Sequence, residues 1–165
     1  MEDFDIAPSK IGESAQRVVD RAIEESRRRD HAQVTNEHVF LAFAQVEWDT
    51  FSYVMQDLEI NPHVILDALD EHLQRLPTRS GCELRVAPNT KTVFQLAFNR
   101  ASRDGRPIAS SDLFSAILEE SHGVPVSIVR RQGVPPSTFV ARLTTQMRDH
   151  ELRAVLHVED HAVAP

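Results

Sequence analysis

The stretch VTNEHVFLA (residues 34–42) and its divergent copy IASSDLFSA (residues 108–116) decide the fold of this chain. In each copy a polar residue suited to capping, Thr35 in the first and Ser110 in the second, stands just before a run of apolar positions, which is typical of a helix start. Phe40 of the first copy matches Phe114 of the second. The same helix therefore occurs twice, and internal repetition of this kind predicts a fold built from repeated units.

The repeat extends over most of the chain, with matching residues about 75 positions apart. A single residue is dropped between the first and second helices of the second copy, and every later pair then stays in register. Chance would not preserve one register across so many pairs. The matching pairs are Val18 with Val93, Ala22 with Ala97, Arg28 with Arg103, Phe40 with Phe114, Ala42 with Ala116, Pro62 with Pro136, and Leu69 with Leu143.

Apolar periodicity predicts four short helices in each half. In the first helix the apolar residues recur at the i, i+3, i+4, i+7 spacing of one helical face. Proline at the first position of a helix, as at Pro62 and Pro136, marks further helix starts. The predicted fold is all-α, with two tandem pseudo-repeats of four short helices each. The apolar face of the first helix consists of Ala15, Val18, Val19, Ala22 and Ile23.

The same pattern gives the domain organisation. We predict an N-terminal extension over residues 1–10, a first four-helix repeat over 11–76 and a second over 89–149. The stretch 77–88 has turn chemistry and is predicted to link the repeats. Residues 150–165 are predicted to form a tail or a linker.

Composition excludes several classes of protein. With 41% hydrophobic and 26% charged residues, a chain of 165 residues can bury a core without metals or disulfides. The net charge of -7 disfavours nucleic-acid binding. Cys82 is the only cysteine, which rules out an intrachain disulfide and favours a reducing compartment. No apolar stretch approaches the roughly 18 residues of a membrane span, so we expect a soluble, cytoplasmic protein.

No catalytic, cofactor or metal motif stands out. Cys82 is followed by Glu83, and an acidic neighbour raises a thiol pKa, so activation of the cysteine is not expected. A phosphate-binding loop and a Gly-x-Ser-x-Gly elbow are both absent from the sequence. His157 and His161 are four residues apart, with Glu159 and Asp160 between them, but no His-Glu-x-x-His motif occurs. The sequence predicts neither an enzyme nor a resident metal or cofactor.

The repeated stretches resemble the N-terminal (Clp repeat) domain of Clp-type AAA+ unfoldases, in particular the ClpA and ClpC branches. VTNEHVFLA is similar to that family's Ile-Gly-Thr-Glu-His-Leu-Leu-Leu signature, and it follows a helix that ends in the basic stretch 27–29. The resemblance runs from Ile11 to Met147. It implies a domain that sits above an ATPase ring and docks adaptor proteins or substrate polypeptides.

Three functional interpretations stay open. The chain could be the docking domain of a longer unfoldase, since it contains no phosphate loop of its own, or a stand-alone regulator that sequesters adaptors or ligands. A helical transcription factor is a weaker third hypothesis, because Arg27, Arg28 and Arg29 are its only support.

Thr35, Asn36 and Glu37 are the candidate ligand-binding residues. The free N–H groups of a helix start can hold an anion, and the Glu37 carboxylate could pair with a guanidinium. The resemblance implies recognition of phosphorylated arginine side chains, with this glutamate present in each repeat. Here the second copy has Ser111 instead, so we expect binding at the first repeat only. The competing interpretation is that an acid in a first turn merely suits the helix dipole.

Two further features could contact partners. Glu24 and Glu25 stand four residues before Arg28 and Arg29, a spacing typical of a solvated, salt-bridged helix face or of a contact with an acidic partner. Trp48 is flanked by acids and could form an exposed anchor for a partner, whereas Phe51 is expected in the core.

Overall fold

Eight α-helices, four from each repeat, make up most of the described chain. The structure is a computed structural model that describes residues 4–120 and 123–162, apart from the side chains of residues 150–155 and 157–162. It confirms the all-α fold predicted from the sequence. The first repeat contains α1 (Glu13–Arg28), α2 (Asn36–Val46), α3 (Trp48–Asp57) and α4 (Pro62–Leu73), and the second contains α5 (Pro88–Arg103), α6 (Ser110–Glu119), α7 (Val124–Arg131) and α8 (Pro136–Ala162).

The helix ends agree with the register read from the sequence. Asp30 and Gly105, just after α1 and α5, have φ angles of 54° and 64°. Glu59 and Gly133, after α3 and α7, have φ angles of 60° and 79°. A left-handed residue just past a helix is a common way to end it, and glycine adopts that conformation at least cost. The second repeat uses glycine at both positions, while the first places longer side chains there.

Short extended segments join the two repeats crosswise. Strand β1 (Gln33–Val34), which leads into α2, pairs in parallel with β2 (Arg85–Val86), which leads into α5. Ile11, just before α1, forms a parallel bridge with Ile108, just before α6. Each pair brings a helix start of one repeat beside a helix start of the other. The two repeats are thus related by a pseudo-two-fold axis.

Phenylalanine side chains fill the core on that axis. The rings of Phe40 and Phe114, which are equivalent in the two repeats, stack with centroids 5.1 Å apart and an interplanar angle of 26°. Phe139 packs against Phe114 at 5.4 Å and against Phe51 at 6.4 Å. All four side chains are fully buried, as expected for Phe51. Helix α3 packs on α8, and α4 packs on α7, so the two repeats share one core.

The chain outside the helices also contributes to this body. Phe4 and Ile6, within the segment 1–10, are buried, and the Phe4 ring lies 4.5 Å from that of Phe94. Strand β2 lies within the segment 77–88. Both segments are too short and irregular for apolar periodicity to reveal that they pack against the repeats.

A buried histidine pair closes the start of α2. The Thr35 N–H donates to Nδ1 of His38 over 3.0 Å, and Nε2 of His38 lies 2.7 Å from Nδ1 of His31. Because a backbone amide can only donate, Nδ1 of His38 is unprotonated and its Nε2–H donates to His31. His38 therefore caps its own helix.

The second repeat uses an ion pair at the equivalent place. The Ala109 N–H donates to Oδ2 of Asp112 over 2.8 Å, so Asp112 caps α6 as His38 caps α2. Arg106 donates to both oxygens of that carboxylate, at 2.5 and 2.9 Å. A neutral, hydrogen-bonded pair in one repeat thus matches a bidentate charged pair in the other.

The histidine pair makes the stability of the fold depend on pH. Burial lowers the pKa of both histidines, that of His38 to about 3. As pH falls through the unfolded pKa of about 6.5, the unfolded chain gains protons that the folded chain does not bind. His38 should then cost about 1.4 kcal/mol of stability per pH unit, and His31 adds to that cost in the same direction. Urea unfolding at pH 7.5 and pH 5 should show a smaller loss for His38→Gln, which retains a capping side chain, than for the wild type. Equal losses of stability in the wild type and in His38→Gln would contradict this interpretation.

Phe114→Ala should destabilise the protein by about 3–5 kcal/mol, because it removes a fully buried ring from the axis of the shared core. Tyr53→Ala is the matched control. Tyr53 is also aromatic but 56% exposed, so its removal should change stability by no more than about 0.5 kcal/mol. Chemical denaturation of the three proteins measures both values. A cost at Phe114 no larger than that at Tyr53 would be inconsistent with the proposed role of the stack.

Candidate functional site

Thr35, Asn36 and Glu37 lie where two helix starts converge. The parallel pairing of β1 with β2 brings the first turn of α2 beside the first turn of α5. The first N–H groups of each helix have no partner within the helix, and the helix dipole makes that end positive. We call this region, with the side chains that contact it, the α2 entrance.

Thr35 is the N-cap residue of α2, as predicted. Its backbone is extended, with φ −113° and ψ 172°. Its hydroxyl oxygen lies 2.8 Å from Nδ1 of His38, so the side chain faces the histidine pair. Thr35 thus helps to cap the start of α2.

Asn36 carries the least expected feature of the site. Its side chain is 2% exposed, and Nδ2 donates to Oε2 of Glu120 in the second repeat over 2.6 Å. Within the described residues no donor reaches its other side-chain atom, the acceptor Oδ1. A buried polar atom without a partner costs about 1–3 kcal/mol. Among the described residues, the α2 entrance therefore leaves this acceptor open to a hydrogen-bond donor.

Glu37 is enclosed rather than open to solvent. The residue is 9% exposed, and Oε1 lies 3.4 Å from Nε2 of His72 on α4. The His72 side chain is 34% exposed, so it forms the outer wall beside the carboxylate. A guanidinium could reach Glu37 only by displacing His72 or passing beside it.

The second repeat copies the polar framework but not the carboxylate. Ser110, the counterpart of Asn36, donates from Oγ to Oε1 of Glu47 over 3.1 Å, so a hydrogen bond again crosses between repeats. The Ser110 N–H donates to Oγ of Ser14 over 3.1 Å. Ser111, the counterpart of Glu37, is half-buried. The two helix starts are matched in backbone and differ in charge.

The charged cluster at the end of α1 is not simply a solvated face. Glu24 is exposed, but Glu25 is 1% exposed and accepts from Arg28 over 2.8 Å and from Arg21 over 3.1 Å. Burial raises the pKa of Glu25, but its bonds with the arginines outweigh this effect and lower it. Glu25 lies on the same helical face as Val18 and Ala22, and this position indicates burial. The spacing of Glu25 from Arg29 favoured an exposed face instead.

Other surfaces offer an apolar groove but no metal cluster. A cavity of about 790 Å³ lies between the end of α6, the end of α7 and the start of α8. Its apolar walls include Val134 and Val140, and this apolar groove was not visible in the periodicity of the sequence. Among the described residues no group of three potential ligands could hold a metal ion. The side chains of His157 and His161, with those of Glu159 and Asp160, lie outside the described residues.

Within the same described part of the chain, no helix is both long enough and apolar enough to cross a bilayer.

The fold is shared with N-terminal domains of Clp-type ATPases. The N-terminal domain of Hsp104 from Candida albicans superposes with a TM-score of 0.71 at 15% identity, covering 81% of this chain and 89% of that one. The N-terminal domain of ClpD from Arabidopsis thaliana gives 0.67 at 16% identity, with 87% and 97% covered. The N-terminal domain of the ClpV1 ATPase from Escherichia coli gives 0.64 at 19% identity, with 82% and 84% covered.

These structural similarities establish the fold, and a match between the sequence and a family model identifies the family. The family model of the Clp repeat (R) N-terminal domain matches residues 10–132, a span that includes both quoted stretches and all helices from α1 to α7. Because the match covers well over half of the chain, this protein belongs to the Clp repeat (R) N-terminal domain family.

Proposed function

We propose that this chain is the docking domain of a Clp-type unfoldase, which receives adaptor proteins or substrate polypeptides in the cytoplasm for an AAA+ ring. Domains of its family generally interact with proteins and are not catalytic. The observation that carries the proposal is at the α2 entrance, where no donor among the described residues reaches the buried Oδ1 of Asn36.

The chemistry of the α2 entrance favours a cationic group rich in donors. Among the described residues no donor reaches Oδ1 of Asn36, and the Glu37 carboxylate lies 3.4 Å from the His72 ring. A planar guanidinium presents five N–H donors and can satisfy several acceptors at once. Each charged hydrogen bond formed in this way contributes about 1.5–3 kcal/mol.

The same entrance also suits an anion. The starts of α2 and α5 lie side by side, and their dipoles favour negative charge there. A phosphorylated arginine side chain carries an anion and a guanidinium within one group, so it is the ligand that the α2 entrance fits best. We propose such side chains, displayed on substrate polypeptides, as its ligands.

The apolar groove provides a second support for polypeptide docking. Its volume of about 790 Å³ lies in the range of ligand-binding clefts, and apolar walls allow a docked chain to bury side chains. Glu119 on its rim is paired with Arg100, so the rim offers polar contacts around the apolar centre.

Calorimetry with free phosphoarginine should detect one site in the wild type. Glu37→Ala should weaken binding by about one to two decades, since it removes a charged hydrogen-bond acceptor. Ser111→Glu should add a second site at the start of α6. Glu24→Ala, which removes an exposed acid from α1, is the control and should bind like the wild type. Unchanged binding by Glu37→Ala, or two equal sites in the wild type, would refute the assignment.

The docking function can be tested separately from this ligand. Val134→Glu places a charge in the apolar groove and should weaken binding of a labelled, permanently unfolded polypeptide, measured by fluorescence anisotropy, at least tenfold. Val64→Glu is the control, because Val64 is 45% exposed on α4 and does not line the groove. Equal effects of the two substitutions would show that the groove is not the docking surface.

A further inference from the structure

A second cavity, of about 410 Å³, lies where the start of α1, the α2–α3 junction, the start of α6 and α8 meet. We call it the junction cavity. Its charged and aromatic lining comes from Arg17, Glu47, Trp48 and Asp49. The rest of its wall is formed by Ser14, Val46, Thr50, Ser110 and Met147.

The charged groups of the junction cavity lack ionic partners. Among the described residues neither Arg17 nor Glu47 nor Asp49 forms a salt bridge. Glu47 accepts a hydrogen bond from Oγ of Ser110. One guanidinium and two carboxylates, of which those of Arg17 and Asp49 belong to exposed residues, therefore line the same cavity.

The wall between these charges is apolar and aromatic. The Trp48 ring is half-buried. Its centroid lies 6.2 Å from that of Phe51 and 5.4 Å from that of His63, and packing against these two rings holds the indole in place. Val46 and Met147 are partly buried beside it and pack on the core. An indole attracts cations to its face, and nearby carboxylates add to that attraction.

We propose that the junction cavity binds the free amino terminus of a polypeptide that begins with an apolar residue. The α-ammonium group contacts Glu47 and Asp49 beside the indole of Trp48. The first carbonyl oxygen accepts from Arg17, and the first side chain packs on the apolar wall. This proposal rests on the proposed docking of polypeptides, and it names the part of the polypeptide that enters.

A lysine side chain satisfies fewer of these groups than a chain terminus does. Lysine would supply the ammonium, but its four-carbon stem carries no acceptor for Arg17. In an amino terminus the ammonium and the first carbonyl flank the same carbon atom, so one residue can engage both kinds of charge. A cavity of about 410 Å³ accommodates one residue and leaves room for the chain to continue outward.

The pseudo-symmetry predicts one such site per chain. At the equivalent positions of the other repeat, Thr92 stands for Arg17, Glu120 for Val46 and Asn89 for Ser14. The guanidinium and part of the apolar wall are missing there. The matched place therefore cannot offer the same set of contacts.

Trp48 is the only tryptophan of the chain, so its fluorescence reports directly on the junction cavity. A synthetic peptide with leucine at a free amino terminus should change the emission saturably. The same peptide with an acetylated terminus should bind at least tenfold more weakly. Glu47→Gln and Asp49→Asn should each weaken the free peptide about tenfold, the value of one lost charged hydrogen bond. Asp67→Asn removes an exposed acid on α4 and should bind like the wild type.

Equal affinity for the acetylated peptide, or no response of Trp48, would overturn the proposal. Leucine amide carries the same ammonium, first carbonyl and side chain, so it should compete with the peptide, and failure to compete would likewise overturn the proposal. The docking function fails by a different result, namely loss of any binding of the unfolded polypeptide to the wild-type protein. If that polypeptide binds and the leucine peptide does not, only the junction cavity assignment is wrong.

Discussion

The stack of Phe40 on Phe114 is the contact on which the rest of the structure depends. These residues are equivalent in the two repeats, and their rings meet at 5.1 Å in a fully buried position. A residue that packs on its own counterpart must lie on the symmetry axis that relates the repeats. Around this point α3 packs on α8 and α4 on α7, so each repeat covers part of the core of the other. The domain is a single folded unit in which the same arrangement of four helices occurs twice.

The crosswise arrangement also creates the functional surfaces. Because the extended segments exchange partners, helix starts from different repeats lie side by side, and hydrogen bonds cross the axis from Asn36 to Glu120 and from Ser110 to Glu47. The two repeats have the same backbone arrangement, whereas the side chains at equivalent positions differ. Glu37 has no acidic counterpart at Ser111, and Arg17 is replaced by Thr92. A symmetric scaffold thereby carries two different, single-copy candidate sites.

Much of the fold could be predicted from the sequence, because it depends on local signals. Apolar periodicity located the helices, and the matched prolines at Pro62 and Pro136 fixed the register of the second repeat. The exchange of two-residue strands could not be predicted, since segments that short carry no periodic signal. The burial of Glu25 was missed because its pairing with arginines at helical spacing is equally typical of an exposed face.

The candidate site likewise has some features that the sequence predicts and others that it does not. The capping role of Thr35 follows from its position before an apolar run, and the structure confirms it. The hydrogen bond from Asn36 to Glu120 joins residues far apart in sequence and depends on the cross-packing, so no local pattern could reveal it. The junction cavity likewise draws its lining from four elements. Ligand binding at Thr35, Asn36 and Glu37 stays a prediction.

The two repeats should unfold as one cooperative unit, and urea unfolding followed with two sets of probes can show whether they do. NMR methyl signals of Val18 and Leu69 report on the first repeat, and those of the equivalent Val93 and Leu143 report on the second. If the shared core holds the repeats together, both sets of probes will show one transition with the same midpoint and the same slope. Separate transitions, with one repeat still folded while the other has unfolded, would show that the repeats are independent units.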